Sequence, residues 1–311
     1  MKKIKIAVIM GGKSSEHEIS ILSGKQIVNN LDKNKYEILP VVISKDGIWD
    51  LTLDSLIKNG VDVIFIALHG PYGEDGSIQG MFKVANIPYT GSGVLASALG
   101  MDKIKFRMMM KEVKIPIPKY IVVNKNEKIK SLKSLGEFPY FVKPYDQGSS
   151  VGASIAKNRN ELTISLKNAF KYSDIVIIDE FIKGRELTCS ILGNSNPIAL
   201  PVLEIIPKKG EFFDYKSKYV KGGSDEIVPI DISDNLIEKI KSTSIDVYKT
   251  MGCRGFARVD LLLKNNNLYV LEINTIPGLT QMSLFPKSAR AFGLTYSKLL
   301  DKIIKLALEK K

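Results

Sequence analysis

Val259-Asp260-Leu261-Leu262-Leu263 and Leu268-Tyr269-Val270-Leu271-Glu272-Ile273-Asn274-Thr275 are two apolar, β-rich runs joined by Lys264-Asn265-Asn266-Asn267. So short a polar connection between two such runs reads as an antiparallel hairpin. Residues two apart in a strand share a face, so Glu272 and Asn274 point the same way. Pairing in register would bring Asp260 close to both. Two carboxylates and an amide would then offer hard oxygen ligands. Such a set suits Mg²⁺, which takes one or two carboxylates and fills its shell with water and substrate phosphate. The competing reading is an exposed polar face on an edge hairpin. Asn and Asp are poor strand formers, however, and need a reason to stand there.

Ile4 to Met10 is a continuous apolar run, the pattern of a strand buried on both faces. Gly11-Gly12-Lys13-Ser14-Ser15 follows, and then a helix, for which Ser15 and Glu18 fit a capping box. Strand, glycine turn and helix start form a nest of N–H groups. Glu16 and Glu18 in the first turn would oppose a phosphate there. Glu16 reads either as a holder of a cationic group, such as a substrate ammonium, or as ordinary complement to the helix dipole. Tyr36 to Ile43 and Val61 to Leu68 are further strands, with a short helix at Asp54 to Asn59, which gives an open α/β unit. The third strand runs into His69-Gly70-Pro71-Tyr72-Gly73-Glu74-Asp75-Gly76, at the strand end where such sheets bind ligands.

Gly91-Ser92-Gly93 opens a helix over Val94 to Ala98, and Asp102 is placed to cap a second one running to about Val113. A domain boundary falls near residue 95. Pro139 to Pro144 is a short strand containing Lys143. Gln147 to Gly152 is a hydroxyl-bearing glycine loop, and Ala153 to Ala156 is a strand. Together they form either a flap able to wrap a phosphate or a plain hairpin turn. Glu161 to Tyr172 is an amphipathic helix, and strands follow at Ile175 to Ile178 and Leu187 to Leu192. The linker 179–186 would hinge two sheets and offer its backbone to an adenine edge. Phe213 to Tyr219 enters a glycine-bearing loop, Val220 to Glu226, which reads as a lid. Amphipathic helices close the chain at Ser233 to Met251 and Tyr296 to Leu308, the latter packed on a sheet.

A formal charge of +12 invites a nucleic-acid partner, but only six residues are arginine and the lysines are spread evenly. Without a basic block or stripe, the excess is a solvated surface. No apolar run approaches the length of a membrane span. Cys189 and Cys253 lie far apart in apolar contexts, the pattern of two reduced thiols in a cytoplasmic protein.

Separately most of these signals are weak; their order is not. Five stretches together resemble the D-alanine–D-alanine ligase family of ATP-grasp enzymes over essentially the whole chain. They are Gly11 to Ser20, His69 to Gly76, Gly91-Ser92-Gly93 through Met101-Asp102-Lys103, Val142-Lys143-Pro144 with Gly148 to Gly152, and Arg258-Val259-Asp260 through Glu272 to Gly278. The resemblance implies an α/β fold in three parts. Residues 1–95 form an N-terminal open parallel α/β substrate-binding domain, the pre-ATP-grasp unit. Residues 96–182 and 183–311 form the central and C-terminal lobes of a two-lobed α+β ATP-grasp, the latter with the metal site and a lid near 214–226.

The implied reaction joins two D-alanine molecules, with ATP converting the first carboxylate to an acyl phosphate, for peptidoglycan precursor synthesis. Asp260, Glu272 and Asn274 would hold two Mg²⁺ ions, or Mn²⁺ in their place. Lys103 and Lys143 would hold ATP phosphates under the Ser149-Ser150 loop. Glu180, Phe181 and Ile182 would line the adenine, and Glu186 the ribose. Arg258 with the Gly278 N–H would stabilise the oxyanion. Glu16, steadied by His69, would take the first ammonium, and Ser283, Leu284 and Lys218 the second carboxylate. Tyr219, linked through Ser149 to Glu186, favours a dipeptide product over the D-lactate ester, and leaves D-serine open as second substrate. The family also implies a cytoplasmic homodimer with neither nucleic acid nor membrane as partner.

Overall fold

The first strand, β1 (Ile4–Gly11), pairs in parallel with β2 (Tyr36–Ile43) and β3 (Val63–Ile66), in the order β2-β1-β3. Ile6, Ala7, Val8 and Ile9 are fully buried, as the uninterrupted apolar run requires. The helix that follows, α1 (His17–Asn30), lies close on β1 because position 24 is glycine: a Cβ there would stand 2.6 Å from that of Met10. The computed structural model describes residues 2–129, 131–208, 224–228 and 230–309.

The expected capping box does not form. Glu16 is the N-cap residue of α1 and its side chain makes no capping bond. The reason lies in the preceding turn. Ser14 Oγ donates to the His69 carbonyl at 2.6 Å, and Glu18 pairs with Lys45 at 2.7 Å instead of reaching back. The turn is thus bound to the β3 loop, and Glu16 is left facing inward, 6% exposed.

Helices α2 (Leu53–Lys58), α3 (Ser77–Val84), α4 (Val94–Met101) and α5 (Lys103–Glu112) lead out of the parallel sheet. The Asp102 side chain caps α5, accepting from the N–H groups of Ile104 and Lys105 at 2.9 Å each. A four-stranded antiparallel sheet comes next. It contains β4 (Tyr120–Asn124), β5 (Tyr140–Pro144), β6 (Ser154–Ala156) and β7 (Ile175–Glu180), ordered β4-β7-β5-β6, with helix α6 (Arg159–Ala169) against it.

The third sheet is antiparallel and carries β8 (Arg185–Leu192), β9 (Ile198–Ala199), β10 (Leu203–Pro207), β11 (Ser224–Ile227), β12 (Phe256–Lys264) and β13 (Asn267–Asn274). Its path is β11-β10-β8-β12-β13, with β9 on β8. Ser224 to Glu226, read from sequence as loop, are strand: they pair with Ile205 to Pro207 of β10. Helices α7 (Asp234–Thr250), α8 (Leu284–Ala291) and α9 (Tyr296–Leu308) complete the described chain. The last of these packs on the parallel sheet, where Leu299, Leu300, Ile303 and Ile304 share one core with Ile6 to Ile9. Among the described residues no helix is long and apolar enough to cross a membrane.

Candidate active site

The hairpin pairs in the register that its polar residues need. Asp260 stands opposite Glu272 and Arg258 opposite Asn274, with a bulge just after Asp260. The hairpin closes one edge of the sheet, with β13 outermost, but it does not expose its polar face: β12 lies between β8 and β13 and Asp260 is 8% exposed. Thr188 of β8, fully buried, donates to Asp260 Oδ1 at 2.7 Å. Arg258 donates to both Asp260 oxygens. Burial works against the Arg258 charge, but the Asp260 carboxylate outweighs it and holds the guanidinium more firmly protonated than usual.

A cavity of about 410 Å³ opens beside this pair. Lys103, Lys143, Ser149, Ser150, Glu180, Phe181, Ile182, Glu186, Arg258, Asp260 and Glu272 all line it. Residues scattered over three motifs and a linker therefore converge on one cavity. Lys103, the first residue of α5, donates from Nζ to the Gln147 carbonyl at 2.8 Å and lies 3.4 Å from Glu272 Oε2. Lys143 faces Asp179 at 3.4 Å. Burial lowers its pKa to about 8, with Asp179 pulling the other way. Ser149 and Ser150 sit in left-handed backbone, φ +48° and +58°, which folds their loop back sharply between β5 and β6.

A second cavity of about 130 Å³ is lined by Glu16, His69, Asn274, Gly278, Ser283 and Leu284. Lys103, Ser149, Arg258 and Glu272 line both cavities, so the two meet at these four residues. Ser149 Oγ donates to Glu16 Oε1 at 2.5 Å, which joins the glycine flap to the N-terminal turn; the expected link from Ser149 to Glu186 is corrected by this, since the hydroxyl has one proton to give. Gly70 is required next to it: its φ is +72°, and a Cβ would stand 2.9 Å from Glu16 Oε2. His69 is buried, with Nε2 3.1 Å from Ser23 Oγ and Nδ1 3.6 Å from Glu74 Oε1. Burial opposes its charge, yet the hydrogen bond and charge of Glu74, with Glu16 beyond, hold its pKa above the ordinary value. Ser283 lines this cavity, its Oγ 2.8 Å from Oγ1 of Thr280. Lys218 and Tyr219 lie outside the described residues.

Sequence reasoning missed Thr188, Arg107 and the full role of Asp179, and passed over Glu74 as part of a glycine-rich loop. Polar Thr188 and Ser190 alternating with apolar residues in Leu187 to Leu192 were the available signal. Among the described residues no group of three or more Asp, Glu, His or Cys side chains is placed to hold a metal ion by itself. The donor set is two opposed carboxylates and an amide. That suits a divalent ion that takes much of its shell from phosphate and water. Of the roughly four acceptor sites on Asp260, Arg258 and Thr188 use three, which leaves one on Oδ2 for a cation.

Family models for the D-ala D-ala ligase N-terminus and C-terminus match residues 5–60 with 53–92 and residues 109–305. The chain belongs to the D-alanine–D-alanine ligase family. The D-alanine–D-alanine ligase of Pelotomaculum thermopropionicum is 41% identical over 98% of this chain and 97% of its own. The crystal structure of the Bacillus anthracis D-alanine–D-alanine ligase complexed with ATP superposes with a TM-score of 0.84. It is 39% identical and covers 98% of this chain and 97% of its own. The VanG D-Ala:D-Ser ligase of Enterococcus faecalis has a TM-score of 0.87 at 32% identity, covering 99% and 100%. The fold of this D-alanine–D-alanine ligase family member is thus an ATP-grasp with a parallel α/β unit before it.

Proposed function

We propose that the chain ligates two D-alanine molecules to D-alanyl-D-alanine at the expense of ATP, releasing ADP and phosphate for peptidoglycan precursor synthesis. The single observation that carries this is the meeting of the two cavities at Lys103, Ser149, Arg258 and Glu272. A nucleotide-sized space ends where an amino-acid-sized space begins, as transfer of a phosphoryl group to a carboxylate requires.

In this reading ATP occupies the larger cavity. Glu180, Phe181 and Ile182 lie along the adenine, Glu186 takes the ribose, and Lys103, Lys143 and the Ser149-Ser150 loop take the phosphates. Asp260, Glu272 and Asn274 hold two Mg²⁺ ions, which supply charge neutralisation for the γ-phosphate when bound. Glu16 receives the ammonium of the first D-alanine, with Ser149 and His69 fixing its orientation. The first carboxylate attacks the γ-phosphorus and ADP leaves. The amine of the second D-alanine, held through Ser283, Leu284 and Lys218, then attacks the acyl carbon. Arg258 and the Gly278 N–H stabilise the oxyanion, phosphate leaves, and the amine loses its proton. Tyr219 is the residue assigned to choosing an amine as second nucleophile. The domain boundaries proposed are those near residues 95 and 182, and the compartment proposed is the cytoplasm, in keeping with two free buried thiols.

The test is phosphate release from Mg-ATP with D-alanine, set against L-alanine, D-serine, D-lactate and no amino acid. Release with D-alanine, and the dipeptide by mass, is expected. Release only with a D-alanine and D-serine mixture would move the chain to the specificity of the Enterococcus relative. No stimulation by any D-amino acid would overturn the reading.

A further inference from the structure

Arg107, on α5 one turn beyond Lys103, is fully buried and lies outside the lining of either cavity. Its Nη1 donates to Asp179 Oδ1 and its Nη2 to Oδ2 at 2.8 Å, so the guanidinium forks the carboxylate. The ring of Tyr120 covers it, 4.7 Å from the guanidinium carbon. Asp179 itself lines the larger cavity and is 3% exposed. Across the β5–β7 pair it stands opposite Phe141, which places Lys143 on its diagonal with Nζ 3.4 Å from Oδ2.

One carboxylate therefore serves two cations unequally. A lone carboxylate beside a buried lysine draws the ammonium into a close ion pair. Here Arg107 takes both oxygens and sets the plane of the group, the bidentate contact that only a planar guanidinium makes. The hold left for Lys143, 3.4 Å, is longer than an ordinary charge-assisted hydrogen bond, so the ammonium is attracted to Asp179 without being locked onto it.

We propose that Arg107 is a positioning residue for nucleotide binding: its fork fixes Asp179 so that Lys143 faces the cavity without being tied down. The proposal rests on the reading of the larger cavity as the ATP site. Arg107 touches no nucleotide; it acts through Asp179 and Lys143.

The experiment measures the Kd of Mg-ATP by calorimetry, and KM for ATP and D-alanine by phosphate release, on the full chain. Arg107→Lys keeps the buried cation but cannot fork. It should weaken Mg-ATP binding about tenfold, the scale on which loss of an orienting partner is felt at charged sites. KM for ATP should follow, with KM for D-alanine and kcat at saturating ATP unchanged. In an Asp179→Asn background the same substitution should change Kd by less than about twofold, because the path through the carboxylate is already cut. Asp179→Glu keeps the charge but moves the carboxylate by one methylene. It is the second handle should Arg107→Lys fail to fold, and it should also weaken Mg-ATP.

A lowered thermal midpoint with wild-type Kd would overturn the proposal, since that is a structural role alone. Equal weakening by Arg107→Lys with and without Asp179→Asn would overturn it too. Failure of the unaltered protein to bind Mg-ATP would remove both this inference and the ATP-site reading. Either of the first two results with normal wild-type binding removes the inference only.

Discussion

Arg258 donates from Nε to Oδ1 and from Nη2 to Oδ2 of Asp260, at 2.8 and 2.7 Å, from two residues away on the same strand. The arrangement fixes the proposed oxyanion donor and the proposed metal ligand against each other. Alternate residues of β12 face the cavity, so the pairing follows from strand geometry. Arg258→Lys keeps a cation but loses the fork. It should lower kcat by about 10²- to 10³-fold, as removal of an oxyanion donor does, with a far smaller change in KM for ATP. Initial rates of phosphate release check this.

Glu272 stands opposite Asp260 and shares Lys103 with the wall of both cavities. Chelating divalent cations should abolish turnover, and restoring Mg²⁺ should return it. Glu272→Ala or Asp260→Ala should remain inactive at any Mg²⁺ or ATP concentration. Near-normal turnover in either variant would remove these residues as metal ligands.

The pH dependence of ATP binding turns on Lys143. Burial lowers its pKa to about 8, helped by Arg107 and Lys103 and opposed by Asp179 and Glu272. A phosphate binds the ammonium better than the amine, so nucleotide affinity should be full below about pH 8 and fall as pH rises through it. Linkage to folding has the opposite sense: the unfolded lysine holds its proton up to its ordinary pKa, so this group costs the free protein stability below about 8, and that cost disappears as pH rises toward the unfolded value. Calorimetric Kd values for Mg-ATP from pH 7 to 9 should therefore rise. Lys143→Arg should flatten the dependence, because guanidinium does not titrate in that range.

Cys189 and Cys253 are both free and buried, and burial pushes each thiol up to about 12. With so little thiolate, neither should react with iodoacetamide at pH 8 in the native protein. Two equivalents should be taken up in guanidinium chloride. Native-state labelling at either position would show local opening at β8 or at the turn after α7.

The strands and helices that could be read from the chain were those set by one periodicity. Tyr36–Ile43 and Tyr296–Leu308 carry the same bounds in sequence and structure, because each is amphipathic or apolar throughout and ends at a turn signal or a cap. The cavity residues were legible because they lie at ends of such elements, as with Lys103 after the Asp102 cap and Glu180 at the end of β7. What stayed hidden was tertiary. Ser15 and Glu18 have the right spacing for a capping box, but the His69 carbonyl competes for the neighbouring Ser14 hydroxyl, and no local pattern reveals a partner so distant in sequence. Arg107 looks like one more cation on a lysine-rich helix. Only the pairing of β7 with β4 and β5 brings Asp179 under it.

Helix α9 lies in the core of the sheet formed by β1 to β3. During synthesis, that sheet emerges well before α9, its packing partner. Until α9 is made, Ile303 and Ile304 are not available to cover it. The N-terminal unit therefore cannot finish folding as a nascent fragment, although domains commonly fold in order of emergence. It must wait, part of its apolar surface bare, until Tyr296–Leu308 has been made. The first core is thus closed by a segment synthesised long after the sheet it covers.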